Sequence, residues 1–250
     1  RILMNIGVII QARMGSTRLP SKVLKPFKNG KSTLSILKEK LSIFNIPIII
    51  ATTTANNDDI INDWANENDF ICFRGDEANV LKRFVDCGNK YKLDVIIRIC
   101  ADNPFLDLQL LKSLIESYKN QDYLSFLKSD GTPAIKTHYG IFCEIVSQKS
   151  LVKILNTESI TESDKQHVTP FIYNNPSLFS IEYLPIPEYI EKEDFLRLTI
   201  DTQEDFDSSD FIINSSKDFF NEETKEILKI VKANPFLIEK MKSQIKINSK

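Results

Sequence analysis

The chain has 250 residues, of which 42% are hydrophobic and 26% charged, and its formal net charge at pH 7 is -2. This composition is typical of a globular enzyme, and we expect a single domain over residues 1–250. Because no general excess of positive charge is present, the composition argues against a nucleic-acid partner, and an anionic ligand requires a local site.

The apolar runs and the cysteines favour a cytoplasmic protein. The longest apolar runs, such as residues 6–10 and 46–51, are much shorter than the about 20 residues of a membrane-spanning helix. The first residues show no secretory leader, so we expect no membrane partner. Four widely spaced cysteines and two histidines suggest neither a disulfide framework nor a zinc site.

Short β-branched runs alternate with helical patterns through the first half of the chain. These patterns predict strands at 5–11, 47–52, 70–73 and 94–99, separated by helices at 33–44, 59–68 and 79–90. Ser32 is the predicted cap of the first helix, and Asn57 or Asp58 that of the second. This order predicts an α/β fold in which helices cover both faces of a parallel sheet and ligands bind beyond the carboxyl ends of the strands.

The second half is less regular. A helix to about residue 119 and a strand at 123–126 continue the pattern, and a polar stretch at 128–138 then interrupts it. Mixed elements follow, with strands predicted at 141–146 and 179–184 and helices around Leu151 and His167. We interpret 134–195 as a small inserted α+β lobe that binds an acceptor or mediates dimerisation. A strand is predicted at 197–200, with packing helices after it.

The loop after the first strand carries the clearest chemical signal. Residues 12–22 contain the cations Arg13, Arg18 and Lys22, together with Gly15 and Ser16. Cations, hydroxyl donors and a glycine that permits close backbone approach are what a polyphosphate requires. The alternative is a solvated turn with dispersed charges.

Two acids follow later strands at the same predicted edge of the sheet. Asp102 comes after the strand at 94–99, and Asp201 after the strand at 197–200. Mg²⁺ is commonly bound by one or two carboxylates together with substrate phosphates. The structural alternative for Asp102 is a turn or helix cap. The structural alternative for the second acid is that Asp201 or Thr202 caps the next helix, with Glu204 or Asp205 nearby.

Residues 10–24 resemble the signature of the cytidylyltransferase family that includes the 3-deoxy-manno-octulosonate and acylneuraminate enzymes. Segments 73–76, 98–104, 167–170 and 197–205 match the branch of spore coat polysaccharide biosynthesis protein F in the same order. The resemblance covers roughly residues 5–210 and implies a glycosyltransferase-A-like, mostly parallel Rossmann-type sheet.

The resemblance also implies functional residues and partners. The catalytic residues would be Arg13, Lys22, Asp102 and Asp201, and the two acids would hold Mg²⁺. CTP would contact Ala12, Arg13, Gly15, Ser16, Arg18, Lys22, Thr52, Thr53, Arg74, Asp76 and Asp102. His138, Tyr139, Gly140 and Glu144 lie in the predicted acceptor region, where His138 would contact a substrate carboxylate or act as a base, and an ordinary structural role stays open for it. Family members are commonly homodimers, and we expect the same here.

The implied reaction is attack by a sugar-acid or sugar-phosphate oxygen on the α-phosphorus of CTP, with release of pyrophosphate. Use of another nucleotide, nucleotide-sugar glycosyl transfer and nucleotide binding without turnover remain alternatives. Three positions depart from the family pattern: Ser21 replaces a common glycine, Asn103 a frequent cysteine, and Phe142 an acidic residue. The last departure suggests an altered acceptor pocket, so the sugar itself is not predicted.

Overall fold

The computed structural model describes residues 4–248. A seven-stranded sheet with the order β3-β2-β1-β4-β6-β5-β7 forms the centre of the molecule. Its strands are β1 (Ile6–Gln11), β2 (Ile48–Thr53), β3 (Ile71–Gly75), β4 (Val95–Cys100), β5 (Tyr123–Leu127), β6 (Glu144–Ser147) and β7 (Ile181–Pro185). The first four strands are mutually parallel, and β6 is antiparallel to β4 and β5. The predicted mostly parallel α/β fold is confirmed.

Helices cover both faces of this sheet. They are α1 (Thr33–Leu41), α2 (Asp59–Glu67), α3 (Val80–Lys90), α4 (Leu108–Ser117), α5 (Gln148–Leu155), α6 (Glu162–His167), α7 (Pro170–Asn174), α8 (Glu188–Glu191), α9 (Gln203–Ser215), α10 (Thr224–Ala233) and α11 (Pro235–Ile247). Alternate residues of β1 enter two separate cores. Ile10 belongs to the same core as Leu37 of α1, and Ile9 belongs to the same core as Phe84 of α3. Two-sided burial accounts for the continuous apolar strands in the sequence.

Helix capping follows the sequence at two predicted positions. The Ser32 hydroxyl accepts a hydrogen bond from the Ser35 backbone at the start of α1. Thr202 and Asp205 form a reciprocal capping box at the start of α9. Because that pair caps the helix, the Asp201 carboxylate is available for other contacts.

The strand predicted at 197–200 is absent. Leu198 donates its backbone N–H to His138 O at 3.1 Å, and Ile200 donates to Asp102 O at 2.9 Å. Because these hydrogen bonds go to two different segments, they do not form the ladder of a β-strand. They nevertheless bring Asp201 to the sheet edge where Asp102 lies.

Residues 134–195 contribute β6 and β7 to the main sheet and also contain α5 to α8. Ile172 and Phe179 of this segment belong to the buried core. A role of this segment in acceptor binding or dimerisation stays a prediction. No helix within residues 4–248 is long and apolar enough to cross a membrane.

Candidate active site

The loop between β1 and α1 is held in place by a buried carboxylate. Asp58, which is 1% exposed, accepts a hydrogen bond from the Met14 backbone at 2.7 Å. Its other oxygen accepts from the backbone N–H and hydroxyl of Thr53 at the end of β2. The prediction that Asp58 caps α2 through its side chain is therefore wrong, because the carboxylate binds the loop and the strand instead.

The rest of this loop folds around a local turn. Ser16 accepts a hydrogen bond from Leu19 N at 3.3 Å, and Ser21 has a left-handed backbone with φ of 61°. A glycine adopts this conformation at little cost, which explains why glycine is common at the position in the resembling family. An open depression of about 630 Å³ lies against the loop. Its lining residues are Met14, Gly15, Ser16, Thr17, Pro20, Ser21, Asn57 and Ile60.

The ends of β1 and β4 bring the predicted acids and the loop together. Gln11 and Cys100 are paired in the parallel register, so the residues that follow them leave the sheet side by side. Lys22 Nζ lies 3.2 Å from Asp102 Oδ2 and 3.2 Å from Asp201 Oδ1, and it donates to Ile200 O at 2.6 Å. Two carboxylates that are 99 positions apart in the sequence therefore meet at one cation.

Charge compensation sets the protonation states in this cluster. Burial alone would raise the pKa of the Asp201 carboxyl, but Lys22 and Arg18 hold that pKa below its usual value. Burial likewise opposes the charge of Lys22, whereas Asp102 and Asp201 raise the pKa of its ammonium. The Asp201 carboxylate can thus remain charged beside a cation, as metal coordination requires.

A third basic residue, Arg197, supports Asp201 from inside the protein. The Arg197 side chain is fully buried, and its Nε and Nη2 bind Asp205 at 2.7 and 2.8 Å. Nη2 also contacts Asp201 at 3.2 Å, and Nη1 donates to His138 Nδ1 at 2.7 Å. Arg197 was absent from the predicted site, although it lies in one of the resembling segments. Its pairing with Asp205 and His138 depends on the tertiary fold.

The three cations predicted to bind phosphate have different surroundings. Arg18 is half exposed and reaches Asp201 at 3.2 Å, and Lys22 lies inside the cluster. Arg13 is exposed and makes no ion pair or hydrogen bond among residues 4–248. Ala12 is buried, and its backbone donates to Ala51 at 3.2 Å.

The predicted nucleoside contacts lie at the ends of β2 and β3 and mostly bind protein groups. Arg74 donates to the carbonyls of Thr53 and Ala55, both at 2.9 Å, and Asp76 accepts from the backbone at the start of α3. The Thr52 hydroxyl is buried without a hydrogen-bond partner in the described chain. Contact of these residues with nucleotide stays a prediction.

The predicted acceptor residues are half-buried, as for His138 and Gly140, or buried, as for Tyr139 and Glu144. Gly140 has φ of 66°, and a Cβ there would lie 2.4 Å from Thr199 N, so glycine permits the close approach of the 197–200 segment. Tyr139 is 5% exposed. Glu144 is fully buried and binds Arg98, Tyr123 and Thr169.

Phe142, at the position where the resembling pattern has an acid, packs in the core. Its ring centroid lies 5.0 Å from that of Phe126 and 6.0 Å from that of Tyr139. A carboxylate at this 5% exposed position would lose hydration among aromatic rings. The substitution therefore replaces a charged group with core packing.

Comparison with known proteins decides the family. The family model described as cytidylyltransferase matches residues 7–243. The chain belongs to the cytidylyltransferase family. It is thus a nucleotidyltransferase that uses CTP.

Individual relatives agree with this assignment. Spore coat polysaccharide biosynthesis protein SpsF of Bacillus subtilis is 35% identical over 237 residues, with 92% of this chain and 95% of that protein covered. A solved cytidylyltransferase from Leptospira borgpetersenii has a TM-score of 0.82 and 26% identity, with 94% and 97% of the two chains covered. The CMP:2-keto-3-deoxy-manno-octonic acid synthetase in complex with CTP shares the fold, with a TM-score of 0.59, 13% identity and coverage of 84% and 99%.

Proposed function

We propose that this cytidylyltransferase transfers CMP from CTP to a sugar acid or sugar phosphate, releases pyrophosphate, and supplies an activated sugar for a surface polysaccharide. The observation that carries the proposal is the convergence of Asp102 and Asp201 on Lys22, beside the cationic β1–α1 loop. The name and the 35% identity of the SpsF relative support the polysaccharide context.

The donor set fits a divalent metal. Oxygens of Asp102 and Asp201 both lie 3.2 Å from Lys22 Nζ, so both carboxylates can reach one shared cation. No group of three or more metal-ligating side chains occurs within residues 4–248. Two carboxylates completed by phosphate oxygens and water suit Mg²⁺. Such an ion supplies charge neutralisation at the phosphates and activation of the attacking oxygen.

The loop cations provide the remaining charge compensation. Arg13, Arg18 and Lys22 neutralise the triphosphate of CTP, while Gly15 and Ser16 bring backbone donors near it. The acceptor oxygen attacks the α-phosphorus and pyrophosphate leaves in line, without a covalent enzyme intermediate. Positioning and electrostatics account for catalysis of this kind.

The contacts of His138 favour acceptor binding over proton transfer. Arg197 remains protonated and donates to Nδ1 at 2.7 Å, so Nδ1 accepts and the neutral ring carries its proton on Nε2. An Nε2–H group donates hydrogen bonds and suits a substrate carboxylate. We therefore assign His138 to recognition of a sugar acid.

Pyrophosphate release tests the proposal. The purified chain is incubated with Mg²⁺ and CTP, UTP, GTP or ATP, together with nonulosonic acids, octulosonic acids or sugar phosphates. We expect release with CTP and one acceptor class. Release with a different nucleotide, or CTP binding without release across the whole panel, would contradict the proposed reaction.

A further inference from the structure

Arg83 is a fully buried arginine on α3 that the reaction described above does not use. Arg83 is 0% exposed, and with the buried Val80, Phe84 and Cys87 it forms an i, i+3, i+4, i+7 stripe that faces the sheet. Its side-chain stem crosses Gly75 at the end of β3, where a Cβ would lie 2.9 Å from Arg83 Cγ. The guanidinium is thus fixed beside the carboxyl ends of the parallel strands.

One edge of this guanidinium has no protein acceptor. Nη1 donates to Asp76 O at 3.1 Å, whereas Nε and Nη2 are buried without a hydrogen-bond partner among the described residues. The Nε–Nη2 edge is the one that binds carboxylates and phosphates through two parallel hydrogen bonds. In Arg197 the same two nitrogens bind Asp205 in this manner.

The charge near Arg83 is also uncompensated. No carboxylate within residues 4–248 forms a salt bridge with Arg83, and Arg13 likewise has none. Burial and, after it, the like charge of Arg13 lower the pKa of the Arg83 guanidinium to about 10, against the weaker attraction of Asp58, Asp76 and Glu77. Two neighbouring arginines without acidic partners favour an anionic ligand.

We propose that Arg83 is a nucleotide-binding residue whose Nε–Nη2 edge donates to two oxygens of one CTP phosphate, with Arg13 binding the same phosphate from the exposed side. This inference rests on the proposed function and adds a residue to its site. A planar pair of acceptors on the cytosine base also fits the free edge. The presence of Arg13 as a second cation favours phosphate, because a neutral base would leave the charges of both arginines uncompensated.

The test uses Arg83→Met, which keeps the packing against Gly75, and Arg83→Lys, which keeps the charge without the two-donor edge. Lys82→Met is the matched control, because Lys82 is an exposed neighbour on α3 that pairs with Asp86. Binding of CTP, UTP and inorganic tripolyphosphate is measured by calorimetry, and the ligand-free unfolding temperature is recorded for each variant.

We expect Arg83→Met to weaken binding of all three ligands by about 10- to 100-fold, the range for charge-assisted hydrogen bonds, and Arg83→Lys to be intermediate. The ligand-free unfolding temperature should equal or exceed that of the wild type, because an unpaired buried charge is removed. The control should bind all three ligands normally.

Three outcomes would overturn the assignment. Loss of CTP binding alone, with UTP and tripolyphosphate unchanged, would place the base at Arg83. Unchanged binding of all three ligands, or a lower unfolding temperature as the only effect, would make Arg83 structural. If Arg83→Met does not fold, the same titrations of Arg83→Lys decide. Wild-type pyrophosphate release from CTP tests the proposed function separately, so the two can fail independently.

Discussion

Replacement of Lys22 by methionine separates the binding of a metal from the binding of triphosphate. Lys22 occupies the point at which Asp102 and Asp201 converge, with 3.2 Å to each carboxylate. Asp102 and Asp201 would hold a divalent ion only if it displaced the ammonium, and Lys22 would then be available for phosphate. We therefore expect Lys22→Met to impair turnover and to strengthen metal binding in the absence of nucleotide.

The structure sets the size of the stability effect. Removing one partner of a buried pair costs about 3–5 kcal/mol. The value here should be lower, because Arg18 and Arg197 still contact Asp201 and the Asp102 side chain is 27% exposed. We expect the free energy of unfolding to fall by roughly 1–2 kcal/mol at neutral pH.

Two further measurements complete the experiment. Turnover, followed as pyrophosphate release from CTP, should fall by about 100- to 1,000-fold, as for the loss of one electrostatic group in an active site. Mn²⁺ binding to the nucleotide-free protein, followed by electron paramagnetic resonance, should tighten by roughly tenfold, or about 1.4 kcal/mol. Lys25→Met is the control, because Lys25 lies on the same loop but contacts Gln203 and the Phe206 ring.

The refuting result is specific. If Lys22→Met binds Mn²⁺ no more tightly than the wild type, Lys22 does not occupy the metal position. If its turnover stays within about threefold, well below the loss expected for an electrostatic group, Lys22 does not neutralise the reacting phosphates.

Three other substitutions test separate parts of the site. Asp102→Asn should abolish metal-dependent pyrophosphate release while circular dichroism stays unchanged, and near-normal turnover would remove Asp102 from the mechanism. Asp58→Asn should lower the free energy of unfolding by about 1–2 kcal/mol and raise KM for CTP, because an amide has only one oxygen to accept from Met14 and Thr53. An unchanged KM would mean that the loop is positioned independently of Asp58. Ser21→Gly should raise the free energy of unfolding by roughly 0.5–1 kcal/mol in urea denaturation by relieving the left-handed backbone, and a decrease would contradict that strain.

Local patterns were sufficient to predict the sheet and the edge at which the loop after β1 meets Asp102. Apolar runs of four to six residues that alternate with capped helical segments specify parallel strands, and the carboxyl ends of such strands lie together. The loop after β1 and Asp102 therefore meet, as the pattern indicated. Asp201 also reaches this edge, although the strand expected to bring it there does not form.

The missed features depend on side-chain contacts that form only in the folded chain. Asp58 has the local pattern of a helix cap, yet its oxygens bind Met14 and Thr53 once β1 and β2 lie side by side. Arg197 is read from sequence as part of a strand, whereas the fold buries it against Asp205. A sequence signal did exist for Arg83, since a cation within the apolar stripe of α3 requires a partner.

The electrostatic arrangement of the site suggests why acids and cations occupy the same edge. In the protein alone, Lys22 and Arg18 are compensated by Asp102 and Asp201, whereas Arg13 and Arg83 have no acidic partner among the described residues. When CTP binds together with a divalent ion, Lys22 and Arg18 would exchange carboxylate partners for phosphate oxygens. Arg13 and Arg83 would gain their first anionic partner. After this exchange a cation lies between each carboxylate and the phosphates. The divalent ion and the triphosphate should therefore each strengthen the binding of the other. We therefore expect CTP to bind more weakly without the divalent ion than with it, and Lys22→Met to reduce that difference.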